Sequence, residues 1–383
     1  MPLDSLQTRL QTRLSRRLGI AHPVFGFAHD PAAVAAICKA GGFGVLGATR
    51  HTPDEIAQEL AWIRSQVGSR PFGVNLVLPT GMPETNDRAA IEAQLPETHR
   101  AFVRSIQEKY AVPAATHAGM RSRFVRSEES AQAQLEVIMR SDVNLLACGI
   151  GSPLEVIERA KAAGKLVLAL VGSPRHARSA LSKPIDILVA QGYDAGAHTG
   201  PIGTFSLVPQ IVDLAGDVPV LAAGGVATGR HLLAALAMGA QGAWMGTAWL
   251  ATAEHHMHPV IRDKLLAAGS EDAVISRADS GKTLRQIRSA WSEEWAAPGA
   301  PTPLKMPLQD ILVGDLLGAI EEHEIRPLMH HPAGQSIAYF NEVRSVAEVM
   351  SGIVDEARAA LARLADENGA LAGADADSDA AAD

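Results

Sequence analysis

Three stretches of this 383-residue chain carry residues whose types and spacing could do chemistry. The first, Gln191-Gly192-Tyr193-Asp194-Ala195-Gly196-Ala197-His198-Thr199-Gly200, puts a carboxamide, a carboxylate and an imidazole on one glycine-flexible loop. An imidazole titrates near neutral pH, so His198 could take a proton from a substrate. The other two are glycine turns, Gly224-Gly225 in AAGGVATG and Gly246-Thr247 in WMGTAWLAT. Glycine lets a ligand come close to backbone N–H groups, and a helix N-terminus adds a favourable dipole, so such a pair reads as a phosphate cradle. The plainer alternatives are two tight turns and a histidine that only orders its loop.

What positions these residues is a repeat of short apolar strands and amphipathic helices. PVFGFA, FGVLG, FGVNLVL, NLLACG, KLVLALV, IDILVAQG, VPVLAAGG and AWMGT read as strands. Between them lie helix starts with a physical signature: Asp30 before Pro31, the capping boxes Thr52-Pro53-Asp54-Glu55 and Ser152-Pro153-Leu154-Glu155, Ser173-Pro174, and Thr228 opening a helix to Met238. Strands apolar on both faces and alternating with helices belong to a buried parallel sheet. Eight of them predict an α/β fold, a (β/α)8 TIM barrel, with a doubly wound open sheet as the alternative. Both candidate motifs then follow strand C-termini, the catalytic face of such a barrel, where the last two loops commonly hold phosphate.

The predicted barrel spans 18–253 and 340–366. A helical segment, about 79–140, is inserted after strand 3, and a polar, Pro-rich extension, 254–339, follows strand 8 and shapes the substrate side. Residues 367–383 read as a disordered acidic tail. The formal charge is −8 with the six acids of ADENGALAGADADSDAAAD and −2 without them. With no basic block beyond Arg9 to Arg17, nucleic acid is not an expected partner. Leu232 to Ala253 is uncharged and long enough to cross a bilayer, but Gly239, Gly242 and Gly246 divide it, so no membrane association is expected. The N-terminus has no apolar signal-peptide core, and two cysteines cannot make a disulfide scaffold, so a cytoplasmic setting is expected.

Other signals weigh less. CGIGSPLE begins like a dinucleotide fingerprint but lacks its third glycine and reads as a capped helix start. Glu254-His255-His256-Met257-His258 has no second ligand cluster at a known spacing, so no metal is expected. Cys148 has no histidine paired with it in sequence and reads as a buried hydrophobe.

The motifs together resemble the nitronate monooxygenase (2-nitropropane dioxygenase) family of FMN-dependent barrels, from HPVFGFA to WLAT and more weakly through SGKTLRQIR and HPAGQS. VAQGYDAGAHTG is similar to the family's Q-G-x-E-A-G-G-H-x-G loop, AAGGVATG and MGT to its phosphate turns, and FGVNL to its third strand. The resemblance implies FMN as cofactor, with Asn75 and Gln191 contacting the flavin and Gly196 letting backbone approach it. It implies that Gly224, Gly225, Gly246 and Thr247 hold the phosphate, with Trp244 and Met245 alongside, and that His198 is the catalytic base. The activity implied is oxidation of alkyl nitronates, and of nitroalkanes, by molecular oxygen. The alternative on the same fold is an NAD(P)H-dependent FMN reductase acting on a quinone or enoyl thioester. Partners are then a small-molecule substrate and oxygen, and a homo-oligomer is compatible with the sequence. The sequence departs from the family where Gly26-Phe27-Ala28-His29 replaces Q-A-P-M, Asp194 replaces Glu, and Ala197 replaces the loop's second adjacent Gly.

Overall fold

The apolar runs form strands where expected: β1 (Val24–Ala28), β2 (Phe43–Gly47), β3 (Phe72–Leu76), β4 (Leu145–Cys148), β5 (Leu166–Val171), β6 (Ile187–Gln191), β7 (Ala197–His198), β8 (Val220–Ala223), β9 (Ala243–Met245), β10 (Ala273–Ser276) and β11 (Leu284–Ile287). The computed structural model describes residues 10–78, 81–121 and 123–379, with side chains described to residue 366. Eight strands close into a parallel barrel in the order β1-β2-β3-β4-β5-β6-β8-β9. Phe25 lies beside Trp244 and Gly26 beside Met245 where β1 meets β9, so the sheet is a closed barrel and not an open one.

Alternation along the strands sorts side chains into two layers. Phe25, Phe43, Val45, Leu145, Leu168, Ile187, Val189, Leu221 and Trp244 fill the barrel. Leu46, Val74, Leu146, Val167 and Leu188 face the surrounding helices. The basic lead-in, of which residues 1–9 lie outside the described residues, continues as the helix Arg13–Leu18, whose Leu14 joins the interior cluster with Ile20. This helix closes the N-terminal end: Thr12 Oγ1 donates to the Gln241 carbonyl, just before β9, at 2.7 Å.

Capping chemistry is mostly as read. Asp30 accepts from Ala32 N at 2.7 Å ahead of the helix Pro31–Lys39, and Thr52 and Glu55 make both bonds of a capping box on Pro53–Val67. One expectation needs correction. Ser152 caps nothing, because Pro153 takes the N-cap position of Leu154–Ala162 and offers no side-chain acceptor.

The insertion contains the helices Arg88–Glu92, Glu97–Lys109 and Glu128–Arg140, with Pro96 opening the second. The extension is richer in core than its polar composition suggested. Val103, Ile106 and Val112 of the insertion pack with Val260, Leu265, Trp291, Trp295, Val313 and Leu328 of the extension in a second hydrophobic cluster. Glycine enables one contact: a Cβ on Gly119 would fall 2.7 Å from the Gly318 Cα, so loop and helix Leu308–Glu322 meet backbone to backbone. The last helix, Val346–Asp379, lies on Gly229–Ala237, where a Cβ on Gly229 would collide with the Ala357 and Ile353 backbone. Its backbone runs through the segment read as an unstructured tail; the side chains from 367 and residues 380–383 lie outside those described.

A second sheet, β10-β11-β7, ties the extension to the barrel mouth. Its β7 is the candidate loop itself: Leu284 pairs antiparallel with His198, and Arg285 with Ala197. Ala197 sits at φ 58°, a left-handed conformation that glycine adopts freely and alanine only at a cost of roughly 1 kcal/mol.

Candidate active site

A cavity of about 1320 Å³ opens over the C-terminal ends of the barrel strands. The residues read from the sequence as catalytic or cofactor-binding line it: Asn75, Gln191, Gly196, His198, Gly224, Gly225, Trp244, Met245, Gly246 and Thr247.

On one side lie the glycine turns after β8 and β9. Gly224 and Gly225 adopt φ 96° and 74°, a left-handed pair that side chains would strain. At Gly224 a Cβ would also press on the Ala195 backbone N at 2.9 Å. Gly246, at φ −114°, needs no such freedom, and what it offers is an open backbone. The N–H groups of Gly224, Gly225 and Gly246 donate to no other described residue. Beside them the Thr247 hydroxyl accepts from Gly334 N at 2.9 Å and keeps its own proton to donate. Free N–H groups and a hydroxyl converging on one cavity wall fit the phosphate of a flavin.

Two carboxamides line the cavity. Asn75 is 5% exposed and donates from Nδ2 to the Ala147 carbonyl at 3.0 Å. Gln191 donates from Nε2 to the His198 carbonyl at 2.5 Å, so the glutamine at the end of β6 holds the histidine's backbone. Trp244 stacks on Phe27 with centroids 5.8 Å apart, and Met245 O accepts from Trp249 Nε1 at 2.8 Å. Gly196 lines the cavity and also meets the extension. A Cβ there would fall 2.7 Å from Ala333 C and Gly334 N, so it admits the extension's backbone. Asp194 turns away from the cavity, its Oδ2 accepting from Thr204 N at 2.9 Å ahead of the helix Thr204–Ala215.

His198 Nε2 lies 2.8 Å from Ser280 Oγ, a hydroxyl with no exposure. Burial, reinforced by the positive charges of Arg121, Lys282 and Arg126, pushes the imidazole down to about 4, so it is neutral at physiological pH. Across the cavity runs an alternating chain of charges that the sequence did not reveal. Arg50 meets Asp310 at 2.7 Å, Arg121 meets Asp310 at 3.5 Å and Asp279 at 3.1 Å, and Asp279 meets His330 at 3.1 Å. Trp291 Nε1 also donates to Asp279, at 3.0 Å. His330 Nδ1 is 2.9 Å from the Leu328 carbonyl and its Nε2 faces the Asp279 carboxylate. Two acceptors require two N–H donors, which makes His330 an imidazolium. Burial would lower it, but Asp279 outweighs burial and raises it. Burial would likewise raise Asp279, but His330 and Arg121 hold it below the ordinary carboxylate range. His331, next in the chain, is pushed by burial and its cationic neighbours to about 3.

The turn that departs from the family pattern, Gly26 to His29, still reaches the cavity through Phe27, Ala28 and His29, and His29 Nδ1 contacts the Gly47 carbonyl at 2.7 Å. Of the histidines in Glu254 to His258, His256 meets Asp30 at 2.8 Å and His258 caps the helix Pro259–Ala267.

The model of the nitronate monooxygenase family matches residues 10–356. A Mycobacterium tuberculosis protein described as a candidate monooxygenase is 40% identical over 362 residues, covering 91% of this chain and 96% of that one. A Staphylococcus aureus protein named as a probable nitronate monooxygenase is 30% identical over 341 residues, covering 85% and 92%. Among solved structures, nitroalkane oxidase from Streptomyces ansochromogenes superposes with a TM-score of 0.76 at 30% identity, covering 91% of this chain and 99% of that one. FabK from Thermotoga maritima superposes at 0.72 with 26% identity, covering 93% and 99%.

Proposed function

Because the chain belongs to the nitronate monooxygenase family, and is therefore a flavin-dependent oxidoreductase, we propose that it uses FMN and molecular oxygen to oxidise alkyl nitronates, and nitroalkanes once their α-proton is removed. The carrying observation is that a neutral, hydroxyl-anchored histidine and a cradle of free glycine N–H groups share one cavity. Bound FMN would supply the electron acceptance and the reaction with oxygen.

The remaining work falls to this chain's residues. Gly224, Gly225, Gly246 and Thr247 bind the phosphate, Trp244 and Met245 wall the site beside it, and Asn75 and Gln191 orient the ring. His198 Nε2 lies 2.8 Å from Ser280 Oγ, and the tautomer that places its N–H on that hydroxyl leaves Nδ1 free to take an α-proton. The imidazolium so formed stands opposite the nitronate anion it generates, and the two charges offset each other. The reductase alternative draws support from the cavity's volume, which exceeds the roughly 300–1,000 Å³ of a typical small-molecule site.

Anaerobic mixing of the purified yellow protein with an alkyl nitronate, and separately with NADH, separates the readings. The proposal expects nitronate alone to bleach the flavin absorbance and air to restore it. Bleaching by NADH with no response to nitronate would replace it with the reductase.

A further inference from the structure

Arg126, Lys282 and Lys305 come from three separate segments and converge on one wall of the cavity. Arg126 donates from Nη2 to the Val77 carbonyl, and its Nη1 lies 4.0 Å from Met306 Sδ, beside Lys305. At Gly281, a Cβ would collide with the Leu304 carbonyl and fall 3.2 Å from Lys305 Cα, which sets the chain of Lys282 against that of Lys305. The charges are close enough to act on one another. Burial and then Arg126 lower Lys282, while burial and then Arg50 push Arg126 down to about 10.

No carboxylate among the described residues forms an ion pair with any of the three. Asp310 is engaged by Arg50 and Arg121, and Asp279 by Arg121 and His330. The other carboxylate lining the cavity, Glu321, lies three turns along its helix from Asp310, roughly 16 Å at 1.5 Å per residue. Arg126 and Lys282 are partly buried and Lys305 is exposed, and partly buried like charges with no counter-ion are costly unless an anion joins them.

The position of this group separates it from the glycine cradle. Arg126 is anchored just beyond β3, whereas Gly224 and Gly225 follow β8, four strands away round an eight-strand barrel in either direction. The cavity thus has two anion-attracting poles, the cradle and a cluster anchored across the barrel from it by Arg126, and Lys282 ties the second to the His198 loop through the pairing of Leu284. One pole accounts for a flavin phosphate. An alkyl nitronate, with a single negative charge, would leave most of the charge of these three cations unbalanced.

We propose that Arg126, Lys282 and Lys305 form a second anion subsite that takes the phosphate of a phosphate-bearing substrate or co-substrate, whose other end reaches the flavin near His198. The inference rests on the flavin reading for the occupancy of the first pole and for where the ligand's other end reaches. The phosphate could belong to a nicotinamide dinucleotide or to a pantetheine-linked acyl carrier, and the same three cations would receive either.

The test uses the FMN-loaded protein at fixed ionic strength and titrates inorganic pyrophosphate, NADP+ and coenzyme A calorimetrically, with flavin content recorded in every sample. Pyrophosphate should bind without releasing FMN and should compete with one of the two organic phosphates, which identifies the source. Arg126→Gln and Lys282→Gln should each weaken that binding about tenfold, the loss of one charge-assisted contact. Lys282→Arg should restore most of it, and Lys305→Gln, at the exposed rim, guards against a folding artefact and should cost less. Equal affinity in wild type and variants, release of FMN by pyrophosphate, or pyrophosphate binding with neither organic phosphate would each overturn the proposal. Absence of FMN from the purified protein would instead refute the flavin reading.

Discussion

Replacing His198 by Ala asks whether this imidazole moves a proton or only orders its loop. A positioned general base contributes about 10²–10⁴-fold where the proton moves in the rate-governing step. Burial and the surrounding cations hold His198 at about 4, below an ordinary histidine, which weakens its pull on a proton and places the expected loss near the lower end, about 10². A neutral nitroalkane carries the α-proton and should show that loss. A preformed nitronate has already shed it and should lose no more than about threefold. The wild-type pH profile supplies an independent check, because a group with a pKa of about 4 is about 97% neutral at pH 5.5, against about 9% for one at 6.5. Nitroalkane kcat/KM should therefore stay nearly level from pH 7.5 to 5.5. Steady-state rates on both substrates, normalised to bound FMN, provide the measurement. Equal losses on the two substrates, or a tenfold fall in wild-type kcat/KM by pH 5.5, would refute the reasoning.

Gly225→Val should yield a folded protein purified with little flavin, because a branched side chain at φ 74° strains the turn and fills the space beside its N–H; full flavin occupancy would show the turn to be structural only. Asp279→Asn removes the charge shared by Arg121 and His330 and should cost about 3 kcal/mol in denaturant unfolding, near the lower end for a broken buried pair, since Arg121 keeps Asp310. Ala197→Gly relieves a left-handed alanine and should stabilise the protein by up to about 1 kcal/mol in the same assay. Acid should destabilise it. His198 and His331 lie below their unfolded value near 6.5, so the unfolded chain binds protons first, and their contribution, complete above pH 6.5, is lost as pH falls toward 4 and 3. Roughly 2 kcal/mol between pH 6.5 and 5.5 follows for the two together, read as a falling Tm. His330 has the opposite sign, its contribution present at low pH and lost as pH rises through its raised value.

Much of this fold is legible in the chain because its signals are local. Strands such as FGVLG are apolar on both faces, and Thr52-Pro53-Asp54-Glu55 carries its cap within four residues, so their structure depends little on distant sequence. Gly224 and Gly225 are legible for the same reason, since a left-handed pair favours glycine. The extension misled because its apolar residues are spread among prolines and charges and find partners only in Val103 and Ile106, far away in sequence. The Arg50, Asp310, Arg121, Asp279, His330 chain stayed hidden because each ion pair joins residues 51 or more positions apart. SGKTLRQIR was the available hint: it holds Ser280 and Lys282, both beside His198.

The pairing of β7 with β11 divides responsibility for the chemistry between two parts of the chain. The barrel alone forms the glycine cradle, but the base receives its strand partner from Leu284 and its hydroxyl anchor from Ser280, both in the extension. The same segment carries Lys282 between them. A drift in the length or sequence of residues 276–287 would therefore change which proton is taken and which ligand is admitted while leaving the cradle untouched. Cofactor retention and substrate range can thus diverge independently in descendants of this chain.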